Sequence, residues 1–234
     1  MDKVVTGIKG FDALVGGGFP RGKIILLSGT PGTCKTIFAL QFLHNGAVKF
    51  NEKGIYISFE EKVQSLKNQA LQFGWDFDRL EKDGKVKIIS IPAKSIKEAT
   101  AEEIIKMASS KNIKRLVIDS LSALSINSPT TYSKVTELTE ISIKRFMYRF
   151  INDLRDIKSE ATSLLISQTT DGQLSRDTVS EFISDGIVHI NYDALGGDYS
   201  RSLTIRKMRE VKHDEDIHSL EITNKGIIVH KLKD

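Results

Sequence analysis

The residues best suited to chemistry lie in one short run, "GTPGTCKT", at positions 29–36. It departs at a single position from G-x-x-x-x-G-K-[ST], the loop whose backbone N–H groups surround phosphates at a helix N-terminus. On that reading Thr30, Pro31, Gly32, Thr33, Cys34 and Ile37 line the phosphate cradle. Lys35 reaches the β- and γ-phosphates, and the Thr36 hydroxyl ligates Mg2+. ATP and Mg2+ are the ligands this predicts. The departure is Cys34, which stands where glycine is usual and is the only cysteine in the chain. Cysteine still offers its backbone N–H. Its cost is small if the position has an ordinary helical φ, and about 1–2 kcal/mol if φ is positive. Lys35 beside it should favour the thiolate in an empty site. Glycine and proline also mark ordinary tight turns, so the run needs context.

Two further carboxylate positions supply that context. "RLVIDS" (115–120) is an apolar run ending in Asp119, where a strand end would hold the water shell of Mg2+. A plain turn aspartate is the alternative. "YISFEE" (56–61) ends in Glu60 and Glu61, directly after an apolar run. One of the pair could orient and deprotonate the attacking water. The other reading is a pair of acids favoured at a helix N-terminus by its dipole.

These residues meet only if the elements between them form a parallel sheet. Residues 23–29, 54–59, 86–91, 114–119 and 162–167 read as core strands. Between the first two, residues 35–50 repeat Ile37, Leu40, Leu43 and Ala47 at helical spacing. Helices are also read over 62–75 and 132–160. The βαβ rhythm predicts an α/β fold of the P-loop type, with a mostly parallel central sheet and helices on both faces. Residues 186–193, 202–209, 219–226 and 227–233 read as strands with short turns, an antiparallel C-terminal extension. No repeat or linker interrupts 1–234, so a single domain is expected.

Composition narrows the setting. Hydrophobic residues make up 40% and charged residues 27%, enough for a core and against disorder. One cysteine excludes an internal disulfide framework and a cysteine-based zinc site. No run approaches roughly 18 apolar residues, so no membrane span is read. The N-terminal residues show no apolar signal segment, and a cytoplasmic location is expected. The net charge of +4 is a mild bias towards anionic partners.

Taken together, these residues resemble the KaiC-like ATPases of the RecA superfamily. The likeness runs almost end to end: "TGIKGFDALVGGGFPRGKIILLSGTPGTCKT", "QFLHNG", "ISFEE", "QFGWD", "VIDSLSAL", "EFISDGIVHI" and "KMREVKH" fall in family order. The resemblance implies a RecA-like fold and assembly into a ring, such as a hexamer, or a filament, with ATP between subunits. It implies that Lys207 and Arg209 reach the γ-phosphate of a neighbour's nucleotide, with Met208 between them in the same nucleotide-contacting element. A solvated basic strand face is the alternative. His213 matches a nucleotide-contacting histidine, or is structural. Gln168 stands where a γ-phosphate sensor is found, or is a loop-entry residue. One departure matters. Glu181 and Phe182 occupy the positions of the clock protein's phosphorylated residues, so a phosphorylation cycle there is not expected.

Two functions fit. One is an ATP-driven regulatory switch. The other is an accessory recombination protein of the RadA-paralogue kind, binding single-stranded DNA or a RadA-type recombinase. For DNA, residues 142–150 mix Lys144, Arg145 and Arg149 with Phe146, Tyr148 and Phe150, a composition able to grip and stack. An amphipathic helix with core aromatics explains the same pattern. The loop at 169–177 has one arginine and two aspartates, which suits phosphates poorly.

Overall fold

A computed structural model describes residues 2–110, 112–128, 136–156, 160–170, 172–192 and 200–231, with the backbone alone for 98 and 136–139. A short antiparallel pair, β1 (Lys3–Val4) and β2 (Phe19–Pro20), brackets helix α1 (Phe11–Leu14). Then follow β3 (Ile24–Gly29), α2 (Lys35–Lys49), β4 (Lys53–Ser58), α3 (Val63–Leu71), α4 (Phe77–Lys82), β5 (Val86–Ser90), α5 (Glu98–Ala108) and β6 (Ile113–Asp119). The chain continues through α6 (Leu121–Ile126), α7 (Thr136–Asp156), β7 (Thr162–Gln168), α8 (Ser180–Ile183) and β8 (Gly186–Tyr192). It ends with β9 (Arg201–Met208), β10 (Ile217–Thr223) and β11 (Gly226–His230).

Nine strands form one sheet in the order β11-β10-β9-β8-β3-β7-β6-β4-β5. From β8 to β5 every pairing is parallel, and β8 to β11 are antiparallel neighbours. The expected architecture is thus observed. Every residue of β3 is buried, which fits a strand covered on both faces. Helices α2 to α4 pack on one face, where Phe38, Phe42, Leu66 and Phe77 join Tyr56 and Val117. Helices α5 to α8 cover the other, with Ile104, Leu121, Met147 and Ile183 against Leu26 and Ile118.

Several elements escaped the sequence reading. Helix α5 has an apolar stripe that includes Ala101 and Ala108 beside Ile104, a faint periodicity. The helix read over 132–160 is observed over Thr136–Asp156; 132–135 and 157–159 lie outside the described residues, as do Asp193, 232–233 and Asp171 of the 169–177 loop. On α7 the basic-aromatic pattern sorts by face. Phe150 is 2% exposed and Phe146 packs partly against the same core, while Tyr148 faces outward. Lys144 pairs with Glu140 at 2.7 Å. The aromatics at 146 and 150 therefore serve the core and leave Tyr148 alone for stacking.

Arg115 lies inside β6, wholly buried. Its guanidinium donates to Glu52 Oε2 at 2.8 and 2.6 Å, to the Phe42 carbonyl at 2.7 Å and to the Val5 carbonyl at 2.8 Å. It also lies over the Phe42 ring. The group thereby joins the N-terminal segment, α2 and the sheet. Gly46 makes room for it, because a Cβ there would meet Arg115 Nε at 2.3 Å. Arg115→Leu leaves two carbonyls without their donor and Glu52 with Arg21 alone, at 3.4 Å. It is expected to lower unfolding free energy by about 3–5 kcal/mol in urea titrations.

Candidate nucleotide-binding site

Parallel register collects the candidate residues at one edge of the sheet. Gly29, the last residue of β3, pairs with Gln168, the last of β7. Asp119, the last of β6, pairs with Ser58, the last of β4, and faces Ile166 on β7. Glu60 and Glu61 follow β4 by two and three residues. Loops at this edge are where open α/β sheets bind ligands. Here they surround a cleft of about 330 Å3 lined by Pro31, Gly32, Cys34, Lys35, Thr36 and Ile37 on one side. Glu60, Glu61, Gln69, Asp119 and Gln168 line the other.

The phosphate loop has the backbone its glycines imply. Gly29 has φ 154°, and a Cβ there would strike the Ile190 carbonyl at 2.2 Å. Cys34 has φ 67° and ψ 28° and sits as the N-cap of α2. The left-handed conformation is real, so the larger of the two expected costs applies. Thr33 Oγ1 donates to the Thr30 carbonyl at 2.8 Å. Lys35 Nζ turns back onto the loop, donating to the carbonyls of Gly29 (2.8 Å) and Thr30 (2.7 Å) and to Thr33 Oγ1 (3.1 Å). Burial pushes the Lys35 ammonium down to about 8, against the opposing pull of Asp119, Cys34 and Glu60. An arriving polyphosphate would offer this cation the charge it lacks.

The expected thiolate at Cys34 is not supported. Burial raises the thiol above its ordinary value, and the nearby cations of Arg201 and Lys35 only oppose that rise. The thiol points towards the Gly32 carbonyl at 3.7 Å. Desolvation of a small anion on a half-buried loop outweighs the neighbouring charges.

Across the cleft, Thr36 Oγ1 donates to Asp119 Oδ2 at 3.0 Å. Tyr56, invisible to motif reasoning, donates to the same oxygen at 2.6 Å. Burial raises the Asp119 carboxyl, the two hydroxyls lower it, and Glu60 and Glu61 raise it further. A hydroxyl and a carboxylate side by side suit a hard cation that keeps most of its shell for water and phosphate oxygens, as Mg2+ does. Among the described residues no group of three or more His, Cys, Asp and Glu is placed to hold a metal ion.

The two glutamates are held differently. Glu60 accepts from Ser120 Oγ at 2.6 Å and from Gln168 Nε2 at 2.7 Å, so the proposed base and the proposed sensor touch. Glu61 accepts from Ser65 Oγ at 2.7 Å and Gln69 Nε2 at 2.5 Å. Ser120, Gln69 and Arg201 were missed from sequence because polar residues of that kind carry no spacing signal. Arg201 Nε donates to the Gly32 carbonyl at 3.1 Å, with its guanidinium over the Tyr192 ring.

Lys207, Met208, Arg209 and His213 lie elsewhere, on a separate cleft of about 520 Å3 shared with Arg206 and Glu215. Lys207 Nζ donates to the carbonyls of Glu181 and Phe182, and Arg209 Nη2 to that of Phe182, each at 3.2 Å. Arg209 also approaches Asp185 at 3.5 Å. The two cations thus converge, as the i, i+2 spacing implies. Met208 is 4% exposed and its side chain belongs to the core, turned away from the two cations as strand alternation implies. His213 Nδ1 lies 3.4 Å from the Val211 carbonyl. Lys207 pairs with Ile187, three residues before Ile190, the partner of Gly29. That is about 10 Å along the strand, and β9 lies two strands, roughly 10 Å, to the side. Neither cation reaches its own chain's phosphate loop.

The strained Cys34 yields a direct test. Cys34→Gly should raise stability by about 1 kcal/mol in chemical unfolding, since glycine adopts this φ without penalty, and should keep ATP binding. Cys34→Val should lower both. Equal stability of all three proteins would contradict the strained loop.

A family model described as "ATPase: KaiC" matches residues 4–234. A UPF0273 protein of Methanocaldococcus jannaschii is 34% identical over 98% of this chain and 97% of its own length. The circadian clock oscillator protein KaiC of Acaryochloris marina is 33% identical over 98% of this chain, which spans only 44% of that protein. The crystal structure of a KaiC-like protein from Pyrococcus horikoshii superposes with a TM-score of 0.84 at 33% identity, covering 98% of this chain and 99% of the other. The chain belongs to the KaiC ATPase family.

Proposed function

We propose that this chain is a single ATPase unit that hydrolyses ATP slowly between subunits and acts as an ATP-dependent regulatory switch. The observation that carries the reading is the separation of two half-sites. Lys35, Thr36, Asp119, Glu60 and Glu61 gather at one end of the sheet, and Lys207 and Arg209 converge beyond reach near the other. Head-to-tail packing of copies would bring the second set to the first, closing a ring or extending a filament. In such an interface Lys35 would leave its loop carbonyls for the phosphates, and Thr36 and Asp119 would hold Mg2+. Bound there, Mg2+ would neutralise charge on the β- and γ-phosphate oxygens. Glu60 or Glu61 takes the proton of the attacking water. Lys207 and Arg209 of the neighbour exchange the carbonyls of α8 for charge developing on the phosphoryl group.

The recombination reading, with single-stranded DNA or a RadA-type recombinase as partner, draws less support. Its best sequence feature, the basic-aromatic run of α7, gives Phe150 to the core and most of Phe146 with it. No described helix is long and apolar enough to cross a membrane.

Mixing variants tests the shared site. Lys35→Ala should lose nucleotide binding, and Arg209→Ala should bind ATP but turn over at least tenfold more slowly. Mixed, the two should regain activity, because some interfaces combine an intact loop with an intact arginine. No recovery despite proven subunit exchange would overturn the shared site. In the same assay single-stranded DNA should leave turnover unchanged; salt-sensitive stimulation would favour the recombination reading instead.

A further inference from the structure

Tyr56 sits in the middle of β4 with no exposed surface. A tyrosine so placed needs a partner for its hydroxyl. The strand register supplies one. Tyr56 pairs with Val117 on β6, and Asp119 is the next residue of β6 on that face. The ring leans along the strand towards the cleft, and its hydroxyl meets Asp119 Oδ2 from the core side at 2.6 Å. Thr36 meets the same oxygen from the first turn of α2 at 3.0 Å. Two hydroxyls, one from the core and one from the phosphate loop, thus converge on one carboxylate oxygen.

An aspartate carboxyl turns about a broad, weakly restrained χ2 torsion. Thr36 alone cannot fix that torsion during turnover, because its hydroxyl is itself a proposed cation ligand. Tyr56 has no such second duty. It is rooted in the core opposite Val117, on a strand paired on both sides. We propose that Tyr56 is a positioning residue for the divalent cation that accompanies the nucleotide: its hydroxyl fixes the Asp119 carboxylate in the orientation that serves the cation beside Thr36. This rests on the nucleotide-site reading above. Tyr56 itself does not line the cleft. A tyrosine kept only to fill space would make the opposite prediction, since phenylalanine fills the same volume.

The test is to titrate wild type and Tyr56→Phe with a fluorescent ADP analogue across a series of Mg2+ concentrations and in EDTA, with thermal melts to verify folding. Removing an outer partner of a metal-holding carboxylate typically lowers metal affinity by about 10–100-fold. The Mg2+ concentration for half-maximal nucleotide binding should therefore rise about tenfold in Tyr56→Phe, with binding in EDTA unchanged. In an Asp119→Asn background the same substitution should shift the Mg2+ midpoint no further. An unchanged midpoint in folded Tyr56→Phe overturns the proposal. Equal weakening with and without Mg2+ also overturns it, since that marks general loosening. If wild type binds no nucleotide under any condition, the nucleotide-site reading fails, an outcome distinct from either.

Discussion

The register between β3, β7, β6 and β4 is the constraint on which the candidate site rests. Parallel pairing aligns Gly29 with Gln168 and Asp119 with Ser58, so residues far apart in sequence finish at one edge. The same arrangement draws charge into a poorly hydrated place. Asp119 and Lys35 are each 6% exposed, and both are shifted towards neutrality by burial. Each is compensated locally, Asp119 by two hydroxyls and Lys35 by loop oxygens. These partners are weaker than a phosphate or a cation. Both buried charges therefore depend on partners that only partly offset their loss of hydration.

The phosphate loop was legible because its chemistry demands a fixed order of residue types, and one altered position did not hide it. The strands were legible because their burial on both faces makes them continuously apolar. What stayed hidden depends on contacts between segments. Nothing local marks Tyr56 as a partner of Asp119 or Ser120 as a partner of Glu60, since both relations cross from one strand to the next. Nor does anything local mark Arg115, which is wholly buried and bound to three other segments. On α7 the pattern was legible and its meaning was not: only the packing decides which aromatic residues face the core.

Cys34 shows how composition and conformation separate. Its type suggested a reactive thiol beside a lysine. Its surroundings favour the neutral thiol, while its φ of 67° makes it a point of backbone strain. The residue carries a conformational cost at the start of α2, where the loop must present its N–H groups.

If each ATP is hydrolysed by residues of two copies, as proposed, turnover per subunit must depend on protein concentration. With Mg2+ and ATP saturating, turnover per subunit should be near zero in dilute protein. It should rise with concentration to a plateau, in step with the assembled fraction measured by light scattering. Full turnover per subunit from protein shown to be monomeric would contradict the account, because Lys207 and Arg209 would then be dispensable or acting within their own chain.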